Sequence, residues 1–192
     1  MSPIISTPPG VSSEEDVFRA ALGIKSASPG DPLVVVNNNA LTSQTIYAAG
    51  VPYRAGQVVT NLGWSIVVAA SGAGPTGMFV GICNATTMLM DSANLSGSAA
   101  WTTIGLRTVA LSSPFTIPSD GLYYHLILQN GAFAVTQPTF NRLGATGDPR
   151  INGAGTFLYA TAGLAATALP AVSAAVTLAA AGTPLSLVTF ST

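Results

Sequence analysis

The residues able to do chemistry are few and far apart in the chain. One cysteine, Cys83, and one histidine, His125, could supply a thiolate and a general base. Cys83 lies inside the apolar run MFVGICN, where a small buried thiol is the simpler reading. His125 alternates with Leu122, Tyr124, Leu126 and Leu128, so it is read as a surface or interface residue, with a pH switch as the alternative. The acidic residues are scattered without ligand-like spacing around it, so no metal site is expected. Glycoside hydrolysis needs two carboxylates flanking a cleft, and both Asp91 and Asp120 read as turn residues, the latter within Pro118-Ser119-Asp120-Gly121. The sequence contains no GxxxxGK(S/T) phosphate loop and no nucleophile elbow. The expectation is a non-enzymatic protein with no catalytic residue, metal or cofactor.

Saccharide binding is the other chemistry to weigh, because aromatic faces with a few polar groups grip neutral sugars. Trp101 sits in the polar loop SGSAAWTT; it is read either as a glycan contact or as a cap on the end of the fold. Tyr123 and Tyr53 are further candidate contacts, with Arg54 and Arg107 as hydrogen-bonding partners, whereas Trp64 falls on an alternating face and reads as core.

The elements that must position these residues are constrained by composition. Of 192 residues, 6 are Lys or Arg and 7 are Asp or Glu, so 7% carry charge, against about 25% in ordinary soluble domains. A net charge of -1 without a basic cluster gives no footprint for nucleic acid. Mean hydropathy is +0.51, but a membrane-spanning helix needs about 20 consecutive apolar residues. The longest candidate, Leu164 to Ala181, is interrupted by Thr167, Pro170, Ser173 and Thr177, so no membrane insertion is expected. Met1 to Gly10 has neither the basic nor the apolar region of a signal peptide, and a lone cysteine forms no intrachain disulfide; both suit synthesis in a reducing cytoplasm.

Five of the thirteen charges fall in Ser12 to Lys25. Ser12 or Ser13 can cap a helix whose first turn holds Glu14, Glu15 and Asp16, and Val17, Phe18, Ala21 and Leu22 form its apolar stripe until Gly23 ends it. Proline and glycine flank this helix, so residues 1–32 read as an N-terminal arm whose stripe docks on a partner. From Leu33 the helical period gives way to short β-type runs. Strands are expected near Leu33–Val36, Thr45–Ala48, Val58–Ala70, Gly77–Asn84, Thr87–Asp91, Ile104–Leu111, Leu122–Asn130, Gly155–Ala160 and Leu185–Phe190. Asn37, Asn38 and Asn39 read as a solvated turn. The core faces are expected to be Leu62, Trp64, Ile66 and Val68, and Leu122, Tyr124, Leu126 and Leu128. Residues 141–183 read as a long excursion rich in Ala, Gly and Thr. The fold class is therefore all-β, an antiparallel sandwich of about eight strands over 33–192.

Between Thr45 and Phe140 an ordered set of segments carries a resemblance: Leu62-Gly63-Trp64, Gly81-Ile82-Cys83, Met88-Leu89-Met90, Trp101, Thr108 to Pro118, Gly121 to Tyr124, and Gln137 to Phe140. In order and spacing the run resembles the jelly-roll-like β-sandwich of minor tail, fibre and head-decoration proteins of tailed bacteriophages, particularly those infecting actinobacteria. The resemblance implies a virion structural protein, trimeric or otherwise symmetric, assembled in the host cytoplasm, with the arm attached to the particle and the sandwich projecting. The acidic arm helix is not part of the shared pattern. A receptor-binding module for host cell-surface glycans is the alternative. Neutral surfaces suit permanent assembly, where unpaired buried charges are costly. An apolar face on the Ala-rich excursion would be covered between subunits of a homo-oligomer.

Overall fold

The computed structural model describes residues 23–27, 37–142, 159–163, 165–179 and 189–192. They form eleven strands: β1 Ser26–Ala27, β2 Asn37–Ala40, β3 Ile46–Tyr53, β4 Val58–Val68, β5 Gly77–Cys83, β6 Met88–Asp91, β7 Gly105–Thr116, β8 Gly121–Asn130, β9 Thr139–Arg142, β10 Tyr159–Gly163 and β11 Thr189–Ser191. The expected arm helix, with Val17, Phe18, Ala21 and Leu22, and the expected strand Leu33–Val36 lie outside the described residues.

Two antiparallel sheets make a β-sandwich. In the first, the order is β1-β11-β4-β9-β2, with β7 on the remaining edge of β4; in the second it is β10-β3-β8-β5-β6. One edge of β4 is shared in tandem: β11 pairs with Leu62 to Trp64, and β9 with Ile66 and Val68. Its other edge pairs with β7 until Leu111 to Pro114 leave the register opposite Val59 and Asn61. A bulge with a proline on an outer strand discourages edge-to-edge association.

Alternation explains the core between the sheets. Leu62, Trp64 and Ile66 of β4 meet Tyr47, Val51 and Tyr53 of β3, Met78, Val80 and Ile82 of β5, and Tyr123 and Ile127 of β8. The expectation for β4 holds for Leu62, Trp64 and Ile66, whereas Val68, at the end of the strand, is only half-buried. For β8 it needs correction, because Tyr124, Leu126 and Leu128 are buried on the other side of their sheet, with Ile46, Ala48, Cys83, Met88, Ala160 and Val176. Both faces of β8 are covered because the excursion doubles back over the outside of the second sheet, where Ala166, Leu169 and Leu178 pack. Gly81 permits this approach: a Cβ there would lie 2.3 Å from Met88 Cε, 2.9 Å from the Met90 carbonyl oxygen and 3.0 Å from Leu169 Cδ1. The segment also closes both edges of that sheet. The Met88 amide donates to Ala174 and the Ser173 amide to Met88, while Thr161 and Ala179 exchange bonds beside β10. The Ala-rich stretch thus turns its larger apolar residues inward, leaving Val172 as its exposed large hydrophobic residue among those described.

Three further differences from the sequence reading have physical causes. Asn37 to Asn39 do not turn; they pair with Phe140 to Arg142, a ladder that only a partner a hundred residues away could reveal. Asp91 ends β6 instead of occupying a turn. The sheet also begins inside the expected arm, because β1 pairs with β11 and Ile24 packs on Phe190 and Leu106.

Candidate functional site

The most ordered polar chemistry lies between the sheets. His125, 1% exposed, projects from β8 on the same side as Tyr123 and Ile127. Its Nε2 is 2.6 Å from the Tyr53 hydroxyl, and its Nδ1 is 2.8 Å from Thr189 Oγ1. Thr189 donates its hydroxyl proton to the Gly63 carbonyl, at 2.9 Å. A hydroxyl has one proton, so Thr189 accepts from His125, which places the imidazole proton on Nδ1. The Tyr53 hydroxyl then donates to Nε2. A directed chain runs from β3 through β8 and β11 to β4, joining the two sheets. Burial pushes His125 down from 6.5 to about 3, so the imidazole is neutral. Burial also raises the Tyr53 phenol well above its usual value, with a Ser191 hydroxyl bond working the other way. The surface position expected for His125 is therefore corrected: β11 and the opposite sheet cover the face on which it stands.

Cys83 stands on the opposite face of the second sheet, beside Met88 and Tyr124, and burial alone pushes its thiol up to about 12. Both ring nitrogens of His125 are engaged elsewhere, so no thiol–imidazole pair forms. Asp91 accepts from Ser112, and Asp120 from the Ala55 amide, which ties the β7–β8 turn to the β3–β4 turn. No group of three or more potential metal ligands occurs among the described residues.

Of the candidate glycan contacts, Tyr53, Tyr123 and Arg54 fall near one another, while Trp101 and Arg107 lie at the other end of the sandwich. Trp101 is 1% exposed, donates from Nε1 to the Leu95 carbonyl at 2.7 Å, and lies 6.4 Å from Trp64 and 6.3 Å from Phe140, centroid to centroid. It caps the core, the second of the two readings of its loop. Tyr53 and Tyr123 are buried against each other edge to face, and Tyr123 bonds to the Ser119 carbonyl. None of the three rings presents a face to a saccharide. Arg107 is spent on its own loop, donating to the Thr103 and Ile104 carbonyls. Arg54 is exposed at the far end of the molecule, beside a shallow depression lined by Lys25, Pro52, Tyr53 and Gln57.

Among the described residues, charged side chains are unevenly placed between the two ends of the sandwich. At one end lie the loops 41–45, 69–76, 92–104 and 131–138 and the described stretch from Ala165 to Pro170, none of which contains an acidic or basic residue. Ile104 and Val135 are exposed there, at 59% and 76%. At the other end are the turns carrying Arg54 and Asp120, together with Lys25, whose Nζ donates to the Val58 carbonyl. Sequence reasoning recorded the scarcity of charge but not its segregation, which appears only once the strands assign each loop to an end. It also missed Thr189 and Ser191 as polar partners, since a short alternating strand gives no signal of what its hydroxyls meet.

No helix among the described residues is long and apolar enough to cross a membrane. No protein-family model, curated protein or solved structure matches the chain.

Proposed function

We propose that this chain is a non-enzymatic structural protein of a bacteriophage virion, a component of the tail, tail tip or fibre, or capsid decoration, with a jelly-roll-like sandwich attached through the N-terminal arm. The observation that carries the reading is the polarity of the module. The described chain starts with Gly23 to Lys25 at the end that holds Arg54 and Asp120, while the described loops at the opposite end contain no charged residue and meet one charge, Arg107 of β7, on the Thr103 and Ile104 carbonyls. A module held by one end in a permanent assembly and facing solvent with the other would have this arrangement. In this reading the protein is a homo-oligomer, a trimer by the resemblance, whose subunit contacts do not draw on residues 165–179 of the Ala-rich segment, since their larger apolar side chains pack on the second sheet.

The test is negative-stain microscopy of purified virions with an antibody against loops 69–76 and 131–138. Label at head, tail tube or tail tip supports the assignment and locates the component; intact particles that carry none of the chain overturn it.

A further inference from the structure

We infer that the Tyr53–His125–Thr189 chain is an acid-released latch, which holds β11 between β1 and β4 while the imidazole is neutral and frees it when the imidazole takes a second proton.

The geometry leaves that proton one place to go. Nδ1 already carries a proton for Thr189, so Nε2 receives the second. The Tyr53 hydroxyl, which donates to Nε2 across 2.6 Å, must then turn its proton away and accept instead, so the directed chain of the neutral form is undone. The imidazolium would be enclosed by the Tyr53 phenol from β3, Ile82 opposite it on β5, the Thr189 hydroxyl from β11 and, beyond that, the Gly63 carbonyl of β4. Ser191 reaches the same phenol from β11, and Tyr123 meets its ring edge to face. None of these groups is anionic. The two described side-chain carboxylates bind elsewhere, Asp91 to Ser112 and Asp120 to the Ala55 amide, Thr192 O beyond β11 accepts from the Thr60 and Asn61 amides, and Lys25 and Arg54 at the surface add only like charge. A buried cation without a counter-ion is costly, and it is relieved by admitting water.

β11 is the element that yields. It spans three residues, and two of them, Thr189 and Ser191, supply its polar contacts to the chain. β3, β5 and β8 are held to one another by ladders of seven and eight pairs. The direction follows from linkage. His125 is harder to protonate when buried than when exposed, so the latch is fully closed above the exposed value of 6.5 and weakens as pH falls toward about 3.

The chain has one histidine, so nitrogen NMR of its imidazole reads the latch without ambiguity. At pH 5 the ring is expected to be neutral with the proton on Nδ1; titration of the folded protein near its ordinary pKa overturns the inference. Hydrogen exchange then follows the release. After correction for intrinsic rates, the opening constant of the β11 amides should rise about 50-fold from pH 6.5 to 4.5, as one proton comes to be bound per opening. The β5–β8 amides should change far less. A flat β11 profile, or an equal rise in every strand, overturns the latch. His125→Gln should flatten the dependence. Should that variant fail to fold, Thr189→Val keeps the imidazole and removes its acceptor, so β11 opening should already be raised at pH 7; unchanged opening there counts against the latch.

Discussion

Replacing Trp101 separates the capping role from ligand contact by magnitude. The indole is 1% exposed and closes the neutral end of the core against Trp64 and Phe140. Truncating a buried Trp to Ala costs about 3–5 kcal/mol. The Leu95 carbonyl would also lose the donor it holds at 2.7 Å, adding about 1 kcal/mol. The expected loss for Trp101→Ala is thus about 4–6 kcal/mol, a large part of the ~5–15 kcal/mol of a typical domain. With a urea m-value of about 2 kcal/mol/M, the midpoint falls by about 2–3 M. Trp101→Phe keeps an aromatic ring and removes the N–H, so its loss should be nearer 1–2 kcal/mol, a shift of about 0.5–1 M. The assay is equilibrium urea unfolding followed by far-ultraviolet circular dichroism, with m compared between variants. If Trp101→Ala changes stability by less than about 0.5 kcal/mol, as exposed sites do, the ring is not a cap and the loop is open to a ligand.

Other perturbations probe the packing around it. Gly63→Ala places a Cβ 2.4 Å from Phe190 Cζ; it should destabilise by about 1–3 kcal/mol and lower Tm by several degrees, with Phe190→Leu in the same chain recovering part of the loss. A normal Tm for the single variant would refute the contact. Gly81→Ala drives a Cβ against the Met90 carbonyl oxygen, which cannot swing aside as a side chain can. The segment 165–179 should lift and become sensitive to limited proteolysis; unchanged cleavage would count against its packing on β5. Cys83, with its thiol raised to about 12, should resist a disulfide reagent at pH 8 and react only on unfolding. Rapid labelling of the native protein would place the thiol at the surface instead.

How far the fold could be read from the sequence varied with the length and regularity of each segment. β4 and β8 declare themselves through sustained alternation, and Leu62, Trp64 and Ile66 fall where period two places them. Yet the same period could not say which face of β8 meets the other sheet, because both are buried; that depends on where residues 165–179 settle. β2 is three asparagines and an alanine, which local chemistry reads as a turn and distant pairing makes a strand. The burial of the candidate sugar-contact rings was illegible for a related reason. A polar loop around an aromatic residue looks the same in sequence whether the ring points outward or folds back over the core, and Trp101 folds back. The alternation of His125 with leucines points it outward in sequence terms, yet its own side of the strand faces Tyr53 and Thr189.

The position of β11 bears on how the molecule is made. Residues 189–191 fill the gap between β1 and β4, and every pair they form joins parts of the chain more than a hundred residues apart. During synthesis the first sheet therefore stays incomplete, with an edge of β4 bare, until nearly the whole described chain has left the ribosome. Such late, non-local closure is slow and leaves nascent chains prone to associate through open edges. Products cut short before Thr189 should accumulate in the insoluble fraction even though β3, β5 and β8 are complete in them, so yields of this protein should respond to growth temperature and translation rate more than to the quality of its core.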